Sequence, residues 1–346
     1  MKEQTQESVP GVIVGIWSPA GDYVRAFGVA DKATRAPVKT DFYSRLGSET
    51  KTFTITALLQ LVDDGKLSLD DPIAKYIDDI VNGDQVTLRE MARMQSGLPS
   101  YTFTKDFQKA LFADPHQSFT PQELVNFVAG QPAVFPPGEG WQYSNTNTVL
   151  LGMVIEKVSG KPLQEFFKER IFTPLKMSDT IFATNQAFPE PHAQGYTVDD
   201  TTSTEQVATD WNPSWGWAAG SMISTLDDLH IWAPAMATGK LLKPETQAQR
   251  LQTVPLPKHP PEVGYGLGLF NIYGWIGHNG SLPGYQSVTM YLPEKDTTVV
   301  LLINTDTDYN GAEPSTGLAT AITQVITPNN VYSLSGNVVH PTKSGG

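Results

Sequence analysis

The 346-residue sequence contains no cysteine. Disulfides, cysteine nucleophiles and thiolate metal sites are therefore excluded, and the zero fits reducing and oxidising compartments equally. No apolar run approaches the ~20 residues that a membrane-spanning helix needs. Charge is sparse at 17% of residues and short of the positive kind: 24 Lys and Arg against 36 Asp and Glu, a net of −12. Such a surface does not favour non-specific nucleic-acid binding. A dinucleotide fingerprint is missing, since Gly264-Tyr265-Gly266-Leu267-Gly268 has the wrong spacing and no helix after it. The six histidines, His116, His192, His230, His259, His278 and His340, show no metal-ligand spacing with carboxylates, so no metal and no cofactor is expected. What is present is 40% hydrophobic residues, enough for one large domain or two joined lobes with a proper core.

Strand signals concentrate at the two ends. Val12–Trp17 and Tyr23–Phe27 flank Ser18-Pro19-Ala20-Gly21 and read as a hairpin. Ser287–Leu292 and Thr297–Ile303 flank Pro293-Glu294-Lys295-Asp296 in the same way. The middle is mostly helical and punctuated by Pro and Gly. The fold class expected is α+β of the α/β sandwich type: one antiparallel sheet built from both termini, flanking helices, and an inserted helical lobe. The expected domain is single and runs from 8 to 335. Its α/β lobe comes from about 8–65 and 220–330, its helical lobe from about 66–219, and 336–346 is a loose tail. Pro255–Pro261 reads as a surface loop. Two helices frame the candidate chemistry. One spans Thr50–Asp64, with Phe53, Ala57, Leu58, Leu61 and Val62 at helical spacing and Gly65 as its stop. The other runs from about Asn147 to Ser159, with Thr146 or Asn145 as cap and Gly160 as stop.

Gly47-Ser48-Glu49-Thr50-Lys51 opens the first helix and puts Ser48 and Lys51 one turn apart on one face. That spacing suits a serine nucleophile and a lysine that takes its proton, provided that burial lowers the lysine pKa. The helix start also offers the nucleophile's own backbone N–H to an oxyanion. Tyr143-Ser144-Asn145 lies in an extended segment, where residues two apart face one side, so Tyr143 and Asn145 can enter one cleft. A phenol beside a lysine ammonium would have a lowered pKa and relay protons, and the Asn amide would hold the lysine or a substrate carbonyl. In His278-Asn279-Gly280-Ser281 the glycine would let a substrate approach the strand, and the Ser281 N–H would supply a second oxyanion donor. Each motif alone also has a bland structural reading: a capping serine, a buried tyrosine, a core histidine.

Together, in this order, the three motifs resemble the serine β-lactamase and penicillin-binding-protein superfamily. The similar branch holds class C β-lactamases, a soluble DD-carboxypeptidase, alkaline D-peptidases and β-lactamase-like esterases. The resemblance runs from Val12 to about Ile326 and includes Leu58–Leu67, Ser96-Gly97-Leu98, Pro136-Pro137-Gly138, Ile171–Leu175 and Gly264–Leu269. It implies a β-lactamase/transpeptidase-like fold and a serine hydrolase working through an acyl-enzyme. Ser48 would be the nucleophile, Lys51 its activator and Tyr143 the general base or proton shuttle. Asn145 would position Lys51 and substrate, Ser48 and Ser281 would form the oxyanion hole, and His278-Asn279-Gly280 would fill the Lys-Thr-Gly strand motif. Trp215 would line the pocket, and Trp141, Trp211, Trp217 and Trp275 either join it or pack the core. The implied partner is a small molecule or short peptide; oligomeric state is open. The family habit is export to the periplasm or cell exterior, although Met1–Glu7 lacks the apolar stretch of a signal peptide.

Two departures bear on substrate. No basic residue follows Leu269 until Lys295, where the DD-carboxypeptidase has an arginine for its substrate's carboxylate, and Asn279 replaces a threonine hydroxyl. Losing a charged bidentate partner weakens carboxylate recognition by a few kcal/mol. Uncharged esters and amides, or a free-amine end, therefore gain over D-Ala-D-Ala peptides and penicillins. The alternatives are a DD-carboxypeptidase or D-amino-acid peptidase, a weak β-lactamase, or a sensor module that acylates without turnover.

Overall fold

The two apolar ends of the chain meet in one antiparallel sheet. In the computed structural model, residues 9–199, 203–308 and 311–334 are described; the expected tail lies outside them. Eight strands make the main sheet: β1 (Gly11–Ser18), β2 (Gly21–Gly28), β3 (Val254–Pro255), β4 (Val263–Tyr265), β5 (Phe270–Ile272), β6 (Trp275–Leu282), β7 (Tyr285–Leu292) and β8 (Thr297–Ile303). Their spatial order is β2-β1-β8-β7-β6-β5-β4-β3, so the N-terminal hairpin joins the C-terminal meander where β1 pairs with β8 (Val14 opposite Leu301). The alternation of β-branched and aliphatic residues is apolar on both faces because both are covered. Val288, Met290, Val299 and Leu301 face helix α4 (Pro314–Ile326). Ile13, Val300 and Leu302 face α1 (Thr50–Asp63) and α3 (Leu226–Thr238). This is the α+β sheet-and-helix architecture the pattern implies. Among the described residues, no helix is long and apolar enough to cross a membrane.

Helix α1 is sealed on every side. Apolar spacing alone predicts one buried stripe, yet all residues from Thr50 to Leu61 are buried. Threonine is a mediocre helix former, and here each hydroxyl is satisfied. Thr50 and Thr52 donate to Gly47 O and Glu49 O (both 2.7 Å), Thr54 to Ala218 O (2.7 Å) and Thr56 to Thr52 O (2.6 Å). Phe53 stacks on Trp232 with centroids 4.1 Å apart, and the Trp232 indole N–H donates to Thr52 Oγ1.

The segment expected to be helical is not wholly so. Ile181–Phe182 pairs with Met222–Ser224, which also pairs with Ser44–Arg45, in a three-stranded sheet that ties the segment back to the main body. Tyr196–Val198 and Glu205–Val207 form a further short pair. One core cluster holds Leu58 of α1, Trp232 of α3 and Leu150 of α2 (Asn145–Ser159) together. The start of α2 differs from expectation. Ser144 is the N-cap and makes no side-chain cap bond, while the Thr146 hydroxyl donates to Pro99 O and accepts from Tyr101 N. Tertiary partners outbid the local cap. Gly160 closes α2 in the left-handed region (φ +70°), as expected. Of the expected 255–261 loop, Pro255 belongs to edge strand β3.

Strand β6 sits hard against the turn before α1. A Cβ on Gly280 would lie 1.8 Å from Leu46 O, and one on Gly47 (φ +53°) 2.9 Å from Ser281 N. Gly280→Ala is therefore expected to destabilise the protein by at least about 3 kcal/mol, the upper range of overpacking. Gly317→Ala, in the exposed interior of α4 with open space at its Cβ, should stabilise it by about 0.5–1 kcal/mol. Denaturant unfolding of the pair measures both signs.

Candidate active site

A single 3-10 turn, Gly47–Glu49, leads into α1 and carries Ser48 half-exposed at its crown. Lys51, one turn on, is fully buried. Its Nζ lies 3.0 Å from Ser48 Oγ and 2.8 Å from Ala219 O. Burial alone drives its pKa well below the usual 10.5, because no carboxylate offsets the desolvation of an ammonium. Ala219 O is presented by a tight loop in which Trp217 takes a positive φ (+35°) and the Gly216 and Gly220 backbones touch. Thr54 and Thr50 pin that loop to α1 through Ala218 O and Met222 N.

Tyr143 stands over this pair, with Lys51 Nζ 4.8 Å from its ring centre. Its buried hydroxyl faces Ser48 without reaching hydrogen-bond geometry. The expectation of a lowered phenol pKa is corrected: burial pushes it up, and the Ser48 hydroxyl offsets only part of this. Asn145 also departs from expectation. Its amide donates to Thr102 Oγ1 (3.0 Å) and its N–H to Ser100 Oγ (3.0 Å), while the Lys51 amine is held by Ala219 O instead.

His278, buried on β6, faces Tyr265 through Nε2 (3.1 Å) and its own strand's Asn279 O through Nδ1. Burial, with Lys51 nearby, brings its pKa down to about 3, so it is neutral at physiological pH. Asn279 donates to Glu313 Oε2 (3.1 Å). The reason for Gly280 differs from the sequence argument: the close neighbour is Leu46 O, so the glycine admits the turn that carries Ser48. The Ser281 backbone N in turn lies against Gly47, next to Ser48. Strand β5 pairs with β6 only from Trp275 to Gly277, leaving His278 to Leu282 beyond its reach. Trp215 lines a small cavity with Trp211, Arg45, Gly220 and Leu282. Trp217 and Trp275 are core residues, and half-buried Trp141 packs edge-on against Tyr265.

Spacing gave no sign of three contributors. Ala219 acts through its backbone. Glu313 is distant in sequence and reads as a helix-start residue. Glu49 reads as a favourable charge at a helix N-terminus, yet it is fully buried against Ser287 and Thr289 of β7.

A half-exposed serine backed by a buried lysine at a helix start, overhung by a tyrosine and walled by a strand edge, defines a serine hydrolase of amides and esters. The chain belongs to the Beta-lactamase family, whose model matches residues 1–321. It is 28% identical over 318 residues to penicillin-binding protein 4* of Bacillus subtilis (strain 168), covering 84% of this chain and 67% of that one. It spans about two thirds of the first curated relatives' length. Among solved structures, a D-stereospecific amidohydrolase from Streptomyces sp. superposes with a TM-score of 0.82 at 32% identity, covering 88% of this chain and 92% of the other. The D-amino acid amidase of Ochrobactrum anthropi SV3 gives 0.82 at 28%, covering 94% and 95%.

Burial raises the Glu49 pKa to about 8, so it is protonated in the neutral folded protein. A carboxyl raised from its unfolded value contributes stability that is present below about pH 4.5 and lost as pH climbs through about 8. Glu49→Gln should remove that slope. The stability difference between wild type and variant is expected to shift toward the variant by on the order of 4 kcal/mol between pH 4.5 and 8, measured by denaturant unfolding across that range.

Proposed function

We propose that this protein cleaves an amide or ester of small to medium size through a covalent acyl-enzyme on Ser48. The observation that carries the reading is the 3.0 Å approach of Ser48 Oγ to a buried Lys51 Nζ. Desolvation favours the neutral amine, whose lone pair takes the serine proton as Oγ bonds to the substrate carbonyl carbon. The N–H groups of Ser48 and Ser281 accommodate the oxyanion. Tyr143, kept protonated by burial, acts as donor to the departing nitrogen or oxygen and is recharged from the Lys51 ammonium. Water then hydrolyses the ester by the same steps in reverse.

The structural relatives named as D-amino acid amidase and D-stereospecific amidohydrolase support an amide of a D-amino acid as the acyl donor. The penicillin-binding relatives support a second reading, a DD-carboxypeptidase or D-peptidase. Neutral His278 and the lack of Lys or Arg between Leu269 and Lys295 weigh against it, since both leave a free carboxylate without a cation. A non-turning-over sensor fits less well, because the groups that deacylation needs are assembled around Ser48. Export to the periplasm or cell exterior is part of the family reading.

Ser48→Ala should lower kcat for D-phenylalanine amide and p-nitrophenyl esters by at least about 10³-fold and abolish fluorophosphonate labelling. Tyr143→Phe should cost about 10²–10⁴ in kcat, the usual worth of a positioned proton donor. The acid limb of kcat/KM should fall well below pH 10.5, rising as Lys51 loses its proton. Turnover surviving in Ser48→Ala would refute the proposal, and a stoichiometric burst without turnover would favour the sensor.

A further inference from the structure

Arg45 ends the short strand that leads into the Ser48 turn, and it is sealed inside the protein at 2% exposure. Its Nη2 donates to Gln186 O at 3.2 Å and to Thr209 O at 3.1 Å, and its guanidinium carbon lies 4.6 Å from the centre of the Phe188 ring. Nε and Nη1 are buried as well, and neither has a hydrogen-bond partner. Tyr285 and Asp210 act on the group through space and not by a hydrogen bond. Burial lowers the Arg45 pKa, but a guanidinium, unlike the Lys51 amine, keeps its proton in a protein. A full positive charge is therefore held in the interior by two carbonyl dipoles and an aromatic face, with two donors left over. Such burial costs several kcal/mol unless an opposite charge and further hydrogen bonds offset it.

The same side chain lines the small cavity bounded by Trp211, Pro213, Trp215, Gly220 and Leu282, and no other residue lining it is charged. The space open to the centre of a guest is about 10 Å³, room for one water-sized body. A sulfate, a phosphate or a carboxylate on a carbon chain is too large. The aromatic and aliphatic walls cannot replace the hydration of a tightly hydrated ion such as fluoride. We infer that Arg45 and this cavity form a binding site for one monatomic halide of the size of chloride, which accepts hydrogen bonds from Nε and Nη1 and neutralises the guanidinium. Gly220 follows Ala219 and Leu282 follows Ser281, so the ion braces the segments that carry those two residues against the strand entering the Ser48 turn.

Crystals grown in sodium bromide test this directly. Anomalous bromide density is expected in the cavity at hydrogen-bond distance from Nε or Nη1, and a fully occupied water there without bromide would overturn the inference. In solution, Tm is compared in chloride and in gluconate, an anion too large for the cavity, at matched ionic strength. Saturating chloride should raise the wild-type Tm by about 2 °C over gluconate. Arg45→Lys keeps a charge but lacks the guanidinium donors, and Arg45→Gln removes the charge. Both should abolish the chloride-specific rise. Equal Tm in the two salts for the wild type, or a rise that survives in both variants, would also overturn the inference. If neither variant folds, the bromide density in wild-type crystals decides.

Discussion

The structure depends on hiding one amine. Lys51 is enclosed with Ser48 Oγ and Ala219 O as its polar partners, and burying an ammonium on those terms costs several kcal/mol. Burial therefore favours the neutral amine. Everything around α1 serves to keep water away from it. The threonines of α1 bond to backbone so that the helix can be buried on all sides. The strained turn at Trp217 delivers a carbonyl to the amine. The close contact of Gly280 with Leu46 O locks the Ser48 turn to the strand edge. Each device is a backbone approach that tolerates little side-chain volume, so the turn at Ser48 and the loop at Ala219 are both pinned to α1 and β6.

Removing charge from the centre sets the electrostatic character of the whole pocket. Lys51, His278 and Tyr143 are all driven toward their neutral forms by the same burial. In a poorly screened interior, a charge at the rim acts over longer distances than it would in water. A pocket neutral at its floor leaves a charge borne by a bound molecule less screened than it would be in water.

Much of this was legible in the sequence, and the unread part has a physical cause. Ser48 and Lys51 are a helical turn apart, so local geometry alone brought them together. The hairpin at 12–27 and the strands at 287–303 announced themselves through alternation and turn residues. Tyr143 was readable as a site residue, but its proton affinity was not, because burial is a property of the assembled fold. The family resemblance assigns Asn145 to Lys51, yet the loop carrying Ser100 and Thr102 claims it. Ala219 and Glu313 are invisible to any motif, since one acts by its carbonyl and the other meets Asn279 only when α4 docks on the sheet.

Glu49 and Lys51 pose a sharper question: two buried groups of opposite type, two residues apart, do not make an ion pair. Moving one proton from the Glu49 carboxyl to the Lys51 amine would give a carboxylate and an ammonium, and contact between them would offset part of their desolvation. Helix geometry forbids the contact. Residues at i and i+2 point to different sides, Glu49 toward Ser287 and Thr289, Lys51 toward Ser48 and Ala219. Neither group's pKa is moved appreciably by the other, so each resolves its own burial by becoming neutral. Their proton linkages then run in opposite directions. Stability from Glu49 fades as pH rises toward about 8, whereas the cost of Lys51 eases as pH rises toward the value where the unfolded lysine also loses its proton. A Glu–Lys pair in contact would have favoured the ammonium, so the two-residue offset lets burial favour the neutral form of both groups at this helix start.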